Sequence, residues 1–411
     1  MKRAEVHVAG NLAFAVLLIS QLAATAGFMF VMPFMPLYVQ RLGVEDAGSA
    51  AAWAGVLNTA TALTMALAAP MWGRLADRLG PKTMLMRAAF AGSIVVGLMG
   101  LATSPWHLLV LRLVQGTLTG TVAAATVLAS ATAPQGKAGA RLGTLQMIIF
   151  VAAAAGPFVG GIFAEAVGIR ASFGVTAALL FLSGVLVLFG VEGAESAPEE
   201  EEVRESGPLP WRALLIGLIP LFFVNVAITG VAPALPGFVG ELAGAGAQVA
   251  GLSGQILGAG ALAAAVGSLV GGGLAARFGT MKVMVLALLL AGLASLPQAA
   301  VTSVAELFGL RIIISFALGL VIPVANLAVR SAVASGRQGE AFGVAASVNS
   351  AAFGLGPLGG GLLAASVGFE APFIAPGILL LVASVALLGL ALASRPRYVR
   401  LLRLVFANLV T

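Results

Sequence analysis

The sequence predicts an all-α integral membrane protein of twelve transmembrane helices, built as two repeated six-helix bundles, and three observations predict it. The 411 residues are 60% hydrophobic and only 9% charged, with a mean hydropathy of +1.06, too apolar for a single water-soluble core. The chain divides into twelve apolar runs, most near the roughly 20 residues that a bilayer core requires. The two halves also repeat one another at a spacing of about 200 residues.

In chain order the runs fall at 9–39, 51–72, 82–103, 106–130, 139–163 and 172–191, then at 212–239, 250–275, 281–301, 305–329, 341–365 and 372–394. Every backbone group in hydrocarbon must find its partner within a helix or a closed barrel, and the alternating pattern of barrel strands is missing, so the runs read as helices. The first follows Met1-Lys2-Arg3 but is too long for a signal peptide, lacks a small-residue cleavage site and continues through Met32-Pro33-Phe34-Met35-Pro36. It therefore reads as an uncleaved helix. Between the sixth and seventh runs, 192–211 holds Glu199 to Glu202 among Pro198, Pro208 and Pro210, the composition of a solvated acidic linker. The organisation is a bundle over 1–191, this linker, a second bundle over 212–394 and a basic tail over 395–411. Arg397, Arg400 and Arg403 stand three apart in that tail among apolar residues, as in an amphipathic surface anchor.

With the N-terminus inside, eighteen of the 22 Lys and Arg fall on the side of the termini, Arg41 and Arg170 fall opposite, and Arg112 and Arg311 lie within helices. The positive-inside rule then places both termini in the cytoplasm. No cysteine is present, so disulfide and thiolate chemistry are excluded.

The repeat joins Gly73-Arg-Leu-Ala-Asp77-Arg78-Leu-Gly80 to Gly272-Gly-Leu-Ala-Ala276-Arg277-Phe-Gly279, and Arg112 to Arg311, at an offset of 199. Gly156-Pro157 and Gly160-Gly161 recur at an offset of 200 as Gly356-Pro357 and Gly360-Gly361. Parallel six-helix repeats suit halves that rock about a midplane site.

Three motifs carry a family resemblance. The loop after the second helix, Gly73-x-Leu75-Ala76-Asp77-Arg78-x-Gly80-x-Lys82, resembles a signature of the major facilitator superfamily. Arg112-x-x-Gln115-Gly116 is similar to that family's membrane arginine motif, and Gly156-Pro157-x-x-Gly160-Gly161 to the motif of its drug:proton antiporter branch. The resemblance spans all twelve helices and implies the major facilitator fold and proton-coupled efflux of drugs or other amphipathic small molecules from the inner membrane. It makes Asp77 and Arg78 a latch between the halves; the alternative is a solvated loop acid. Ala276 replaces Asp77 in the second half, and Pro81 stands where the family often has a base.

An arginine at mid-helix costs at least about 2.5 kcal/mol, so Arg112 and Arg311 are kept either to serve transport or to tie neighbouring helices together. None of the 16 acids falls clearly at the midplane. A cavity with two arginines and no carboxylate favours anionic or neutral amphipaths over quaternary cations. Proton coupling would then use an acid near a helix end, Asp77 first and Glu165 second. Other expected cavity residues are Gln21, Thr25, Met29, Asn58, Gln146, Phe150, Asn225, Thr229, Gln255, Asn349 and Phe353, scattered polar and soft groups on an apolar wall. Each of these can equally be a helix-packing residue.

An enzyme is not expected, because no nucleophile–base–acid set, metal cluster or phosphate loop is present. No cofactor, metal or nucleic-acid partner is expected; the partners are the bilayer, a small amphipathic substrate and protons, and the chain is expected to be a monomer. The open alternatives are an anion exchanger, a facilitator or a dedicated metabolite or lipid exporter not driven by protons.

Overall fold

The computed structural model describes residues 2–131, 138–191, 208–244, 246–334 and 337–393. Most of the acidic linker and the whole basic tail lie outside the described residues. Helix α1 runs over Lys2–Phe30 and continues through a 3-10 turn at Met32–Phe34 into Met35–Arg41. It is followed by α2 (Ala47–Leu79), α3 (Pro81–Gly100), α4 in two pieces (Pro105–Leu118 and Thr121–Ala131), α5 (Ala138–Val167) and α6 (Ile169–Gly190). The second half holds α7 (Trp211–Gly230, with Leu235–Ala243 beyond a turn), α8 (Val249–Phe278), α9 (Thr280–Ser295), α10 (Val304–Ser331), α11 (Gln338–Ser366) and α12 (Ala371–Ala393).

Eleven of these twelve are long and apolar enough to cross a membrane as continuous segments. The exception corrects an expectation. The fourth run, 106–130, was expected as one helix, but it breaks at Thr119-Gly120, where Gly120 adopts φ +135°, a conformation that side-chain-bearing residues avoid. The two pieces together make the twelfth span.

Sequence repetition reappears as repeated packing. In the first half the rings of Tyr38 and Phe173 lie 4.8 Å apart at 44°; their counterparts 200 residues on, Phe238 and Phe373, lie 4.8 Å apart at 46°. All four are core residues. Ser104 caps α4 by accepting from His107 N–H at 3.3 Å, and Ser303 caps α10 by accepting from Glu306 N–H at 3.3 Å. Large apolar side chains such as Ile94, Phe189, Leu286 and Val385 remain exposed on α3, α6, α9 and α12, the surface that a lipid-solvated bundle presents.

The halves meet along two seams, α2 against α11 and α5 against α8, and among the described residues the tight contacts lie towards the face away from the termini. A Cβ on Gly48 would meet Ala365 Cα at 3.1 Å. One on Gly55 would overlap the Pro357 carbonyl, and one on Gly361 the Ala51 carbonyl. Thr59 Oγ1 donates across the same seam to Gly354 O at 2.6 Å. At the other seam a Cβ on Gly254 would overlap the Pro157 carbonyl, and one on Gly258 would lie 2.7 Å from Phe158 Cβ. Towards the terminal face, a Cβ on Gly272, Gly273 or Gly343 would meet no heavy atom within 4 Å. From Gly48 to Thr59, α2 rises about 17 Å, more than half of a hydrocarbon core of about 30 Å. The seam is thus shut through the face opposite the termini and splayed at the terminal face.

Candidate functional site

The Gly-Pro-x-x-Gly-Gly motif divides its labour the same way in both halves. Gly156 and Gly160 turn inward to their own half, against Met29 Cβ and the Phe30 carbonyl of α1; Gly161 faces the Ala250 carbonyl and Gly254 of α8. In the repeat, Gly356 and Gly360 pack on Thr229 and Gly230 of α7, while Gly361 faces Ala51 and Ala52 of α2. Removing the side chain lets backbones touch, as at small-residue crossings in membranes. The third glycine of each motif therefore lies in the surface along which the two halves meet.

Arg112 is buried on α4. Its Nη1 donates to Gln115 Oε1 at 3.2 Å and its Nη2 to Met35 Sδ at 3.9 Å, while Nε has no partner. The next residue, Gly116, admits Thr61 and Thr64 of α2. Just beyond, the break at Thr119-Gly120 frees carbonyls of the preceding turn. Trp72 Nε1 of α2 donates to Thr117 O, Thr119 Oγ1 bonds Gln115 O at 2.7 Å, and the Arg87 guanidinium of α3 stacks 3.4 Å over the Trp72 ring. The arginine motif and the broken helix thus form one braced unit. Trp72, Arg87 and Gly120 were missed by sequence reasoning; the only signal was a helix-disfavouring Thr-Gly pair inside a long apolar run.

Arg311 on α10 is 6% exposed and makes no hydrogen bond or ion pair among the described residues. Its neighbours differ from those of Arg112 in one decisive respect: Ile314 stands where Gln115 stands in the first half, and an isoleucine cannot accept a hydrogen bond. With no protein acceptor among the described residues, its five donors are left to water or to an anion that reaches them.

Of the other expected cavity residues, Asn225 and Asn349 are brought together: Asn225 Nδ2 donates to Asn349 Oδ1 at 3.1 Å and to Leu221 O at 2.8 Å. Thr229 Oγ1 bonds back to Asn225 O at 2.8 Å. Gln21 is fully buried with both amide atoms unpaired. Thr25 is buried and Met29, Asn58 and Gln255 partly so, while Phe150 and Phe353 are exposed. Gly73, Asp77 and Gln146 lie in helical backbone, and the side chains of Asp77 and Gln146 lie outside those described. Arg78 is exposed at the end of α2; Gly80 turns the chain at φ +80°, and Pro81 occupies the first turn of α3. Lys82 Nζ donates to Leu188 O of α6 at 3.0 Å.

Two of the cations expected on the side of the termini are held in the helices of that face. Arg87 lies in the second turn of α3, and Arg141 in the first turn of α5, where it is 6% exposed, bonds Asn11 Oδ1 at 2.8 Å and lies over the Phe14 ring at 4.5 Å. Burial raised their prominence beyond what position in the chain suggested. At the opposite face, Glu165 of α5 accepts from Ala250 N–H of α8 at 3.3 Å.

Comparison with known proteins fits this geometry. The sequence profile of the Major Facilitator Superfamily matches residues 17–251 and again 218–404. The multidrug resistance protein MdtG of Proteus mirabilis is 35% identical over 355 residues, covering 85% of this chain and 88% of that protein. MdtG of Citrobacter koseri is 35% identical over 361 residues, covering 86% and 89%. Among solved structures, a bacterial homologue of the human lysosomal transporter Spinster in an inward-facing, occupied conformation has a TM-score of 0.74 at 17% identity, covering 95% of this chain and 97% of that one. The human organic anion transporter MFSD10 has a TM-score of 0.65 at 17% identity, covering 92% and 99%. These two establish fold alone. Twelve spans, a duplicated seam motif and sequence relatives of full length agree: the chain is a multi-pass membrane transporter, not an enzyme, and belongs to the Major Facilitator Superfamily as an MdtG-like member.

Proposed function

We propose that the chain is a secondary active transporter that exports amphipathic small molecules by alternating access, with protons as the exchanged ion and both termini in the cytoplasm. The observation that carries this reading is the seam geometry: two pseudo-symmetric halves pressed together on one face and splayed on the other, with an arginine inside each. Both seams are lined by glycine, so the halves can exchange which face is closed without repacking large side chains. The names of the MdtG relatives support drug efflux. Arg87 and Arg141 lie near the terminal-side ends of α3 and α5, so the excess of Lys and Arg on that face stands, which supports a cytoplasmic assignment.

The substrate is an anionic or neutral amphipath rather than a quaternary cation. Arg311, buried and without an acceptor, supports this: a substrate carboxylate or phosphate supplies what Ile314 cannot. The candidates for proton coupling are acids near helix ends, Asp77 and Glu165. Transport in proteoliposomes tests the reading, with cationic, neutral and anionic amphipaths of similar size and with or without an imposed pH gradient. The expected result is saturable transport of the carboxylate that accelerates with the gradient. A lipophilic cation that outcompetes it overturns the substrate class, and counterflow indifferent to the gradient overturns proton exchange in favour of an anion exchanger or facilitator.

A further inference from the structure

The N-termini of α2 and α8 occupy equivalent places in the two halves, each at the closed end of a seam, but they are capped differently. Helix α2 is capped from its own half: Asp46, the residue before its first turn, accepts from Ser49 N–H at 2.6 Å. Helix α8 has Gln248 at that position, and Gln248 makes no side-chain cap. Its free amide at Ala250 is met from the other half, by Glu165 Oε1 of α5 at 3.3 Å. A carboxylate at a helix N-terminus gains from both the hydrogen bond and the positive end of the helix dipole. Here that gain exists only while α5 and α8 stay together. A cavity of about 300 Å³ adjoins the contact, lined by Gln40, Arg41 and Ile169 besides Glu165 and Ala250. At the equivalent place on the other seam α11 offers Ala365, not a carboxylate, against Gly48.

We propose that Glu165 is the latch of the face opposite the termini: a cap supplied across the seam, released when that face opens, and used in place of a cap from α8's own half so that closure is favoured. This rests on the alternating-access reading and deepens it. Opening breaks the Glu165–Ala250 contact and leaves the first turn of α8 without a side-chain partner, whereas the capping of α2 by Asp46 is the same in both states.

The chain has no cysteine, so spin labels go only where cysteines are placed. One pair, Val167→Cys with Val367→Cys, reports the closed face; another, Leu79→Cys with Phe278→Cys, reports the terminal face; all four positions are exposed. Distances are measured by electron double resonance on the full chain in lipid nanodiscs. Glu165→Ala is expected to raise the ratio of open to closed at the first pair about two- to fivefold, the effect of one charge at an exposed helix end. Gln248→Asp, which leaves Glu165 in place and gives α8 a cap like that of α2, is expected to shift the ratio in the same direction. Because this second variant strengthens a helix end, misfolding does not mimic the result. Unchanged distances in both variants overturn the latch, as does a shift in Glu165→Ala without one in Gln248→Asp. A wedge at the same seam, Gly254→Val, separates this from the parent reading. If it lengthens the first pair without shortening the second, rocking of the halves fails, while the latch is still judged by the other two variants at the first pair.

Discussion

The two halves share a backbone plan and differ where the plan meets charge. In the first half Arg112 is tethered by Gln115, and its helix breaks two residues past Leu118, where α2 and α3 brace it through Trp72 and Arg87. In the second half α10 runs unbroken through Pro323, and Arg311 lies buried without a tether. Duplication preserved the parts that depend on shape, the seam glycines and the paired core aromatics, because a change in one half alone would misfit the other. It released the parts that depend on chemistry. A repeat thus gives a scaffold with two equivalent arginines, one bonded to Gln115 and Met35 and the other with no protein acceptor among the described residues.

The comparison can be broken first at the glycines. Gly160→Val and Gly360→Val place a branched side chain on the Phe30 and Gly230 carbonyls, and each is expected to cost about 3 kcal/mol, read as a drop in melting temperature in detergent. Gly343→Ala, which meets open space, is expected to stay within about 0.5 kcal/mol. A large gap between Gly160→Val and Gly360→Val would show that the halves pack less alike than their rings suggest.

The arginines come next. Ile314→Gln gives Arg311 the acceptor that Arg112 has, and is expected to weaken binding of an amphipathic carboxylate about tenfold, the effect of satisfying a charged donor in advance. Gln115→Ile in the same assay is expected to leave substrate binding nearly unchanged and to lower thermal stability. A smaller effect is expected at the helix break: Gly120→Ala forces a side chain into φ +135° and should cost on the order of 1 kcal/mol, measured by thermal unfolding.

The smallest effect lies at the loop-side end of α7. Glu241, beyond the span Trp211–Gly230, has its pKa raised, first by desolvation and then by the nearby charge of Glu370. A carboxyl that holds its proton more tightly when folded loses stability as pH rises from the ordinary carboxylate range through the raised value. Glu241→Gln is therefore expected to remove a shallow decline in melting temperature as pH rises above the ordinary carboxylate range, with little change below it.

Much of this architecture was legible in the sequence because bilayer spans are long, apolar and punctuated, and because Gly-Pro-x-x-Gly-Gly and the arginines recur at fixed offsets. What the sequence left hidden has a physical reason in each case. The break at Gly120 needs no charge or proline, so hydropathy passes over it. Trp72 and Arg87 matter through one stacking contact between neighbouring helices, which no spacing records. Arg141 reads as an anchor at the terminal-side start of the fifth run but is buried beside Asn11 and Phe14. The distinction between Arg112 and Arg311 was visible as Gln115 against Ile314, but its meaning required seeing that nothing else in the described structure reaches Arg311. The scattered cavity residues were the least legible: among the described residues only Asn225 and Asn349 join side chain to side chain, since a polar residue in an apolar helix looks the same whether it faces a substrate or a neighbour.

The central claim is that the duplicated arginines have parted, one holding the fold and one holding the substrate. Equilibrium binding of an amphipathic carboxylate to Arg311→Gln and Arg112→Gln in nanodiscs, with melting temperatures taken on the same samples, tests it most directly. The account predicts that Arg311→Gln loses at least about tenfold in affinity with its melting temperature unchanged or raised, and that Arg112→Gln melts lower. Full affinity in Arg311→Gln would contradict it.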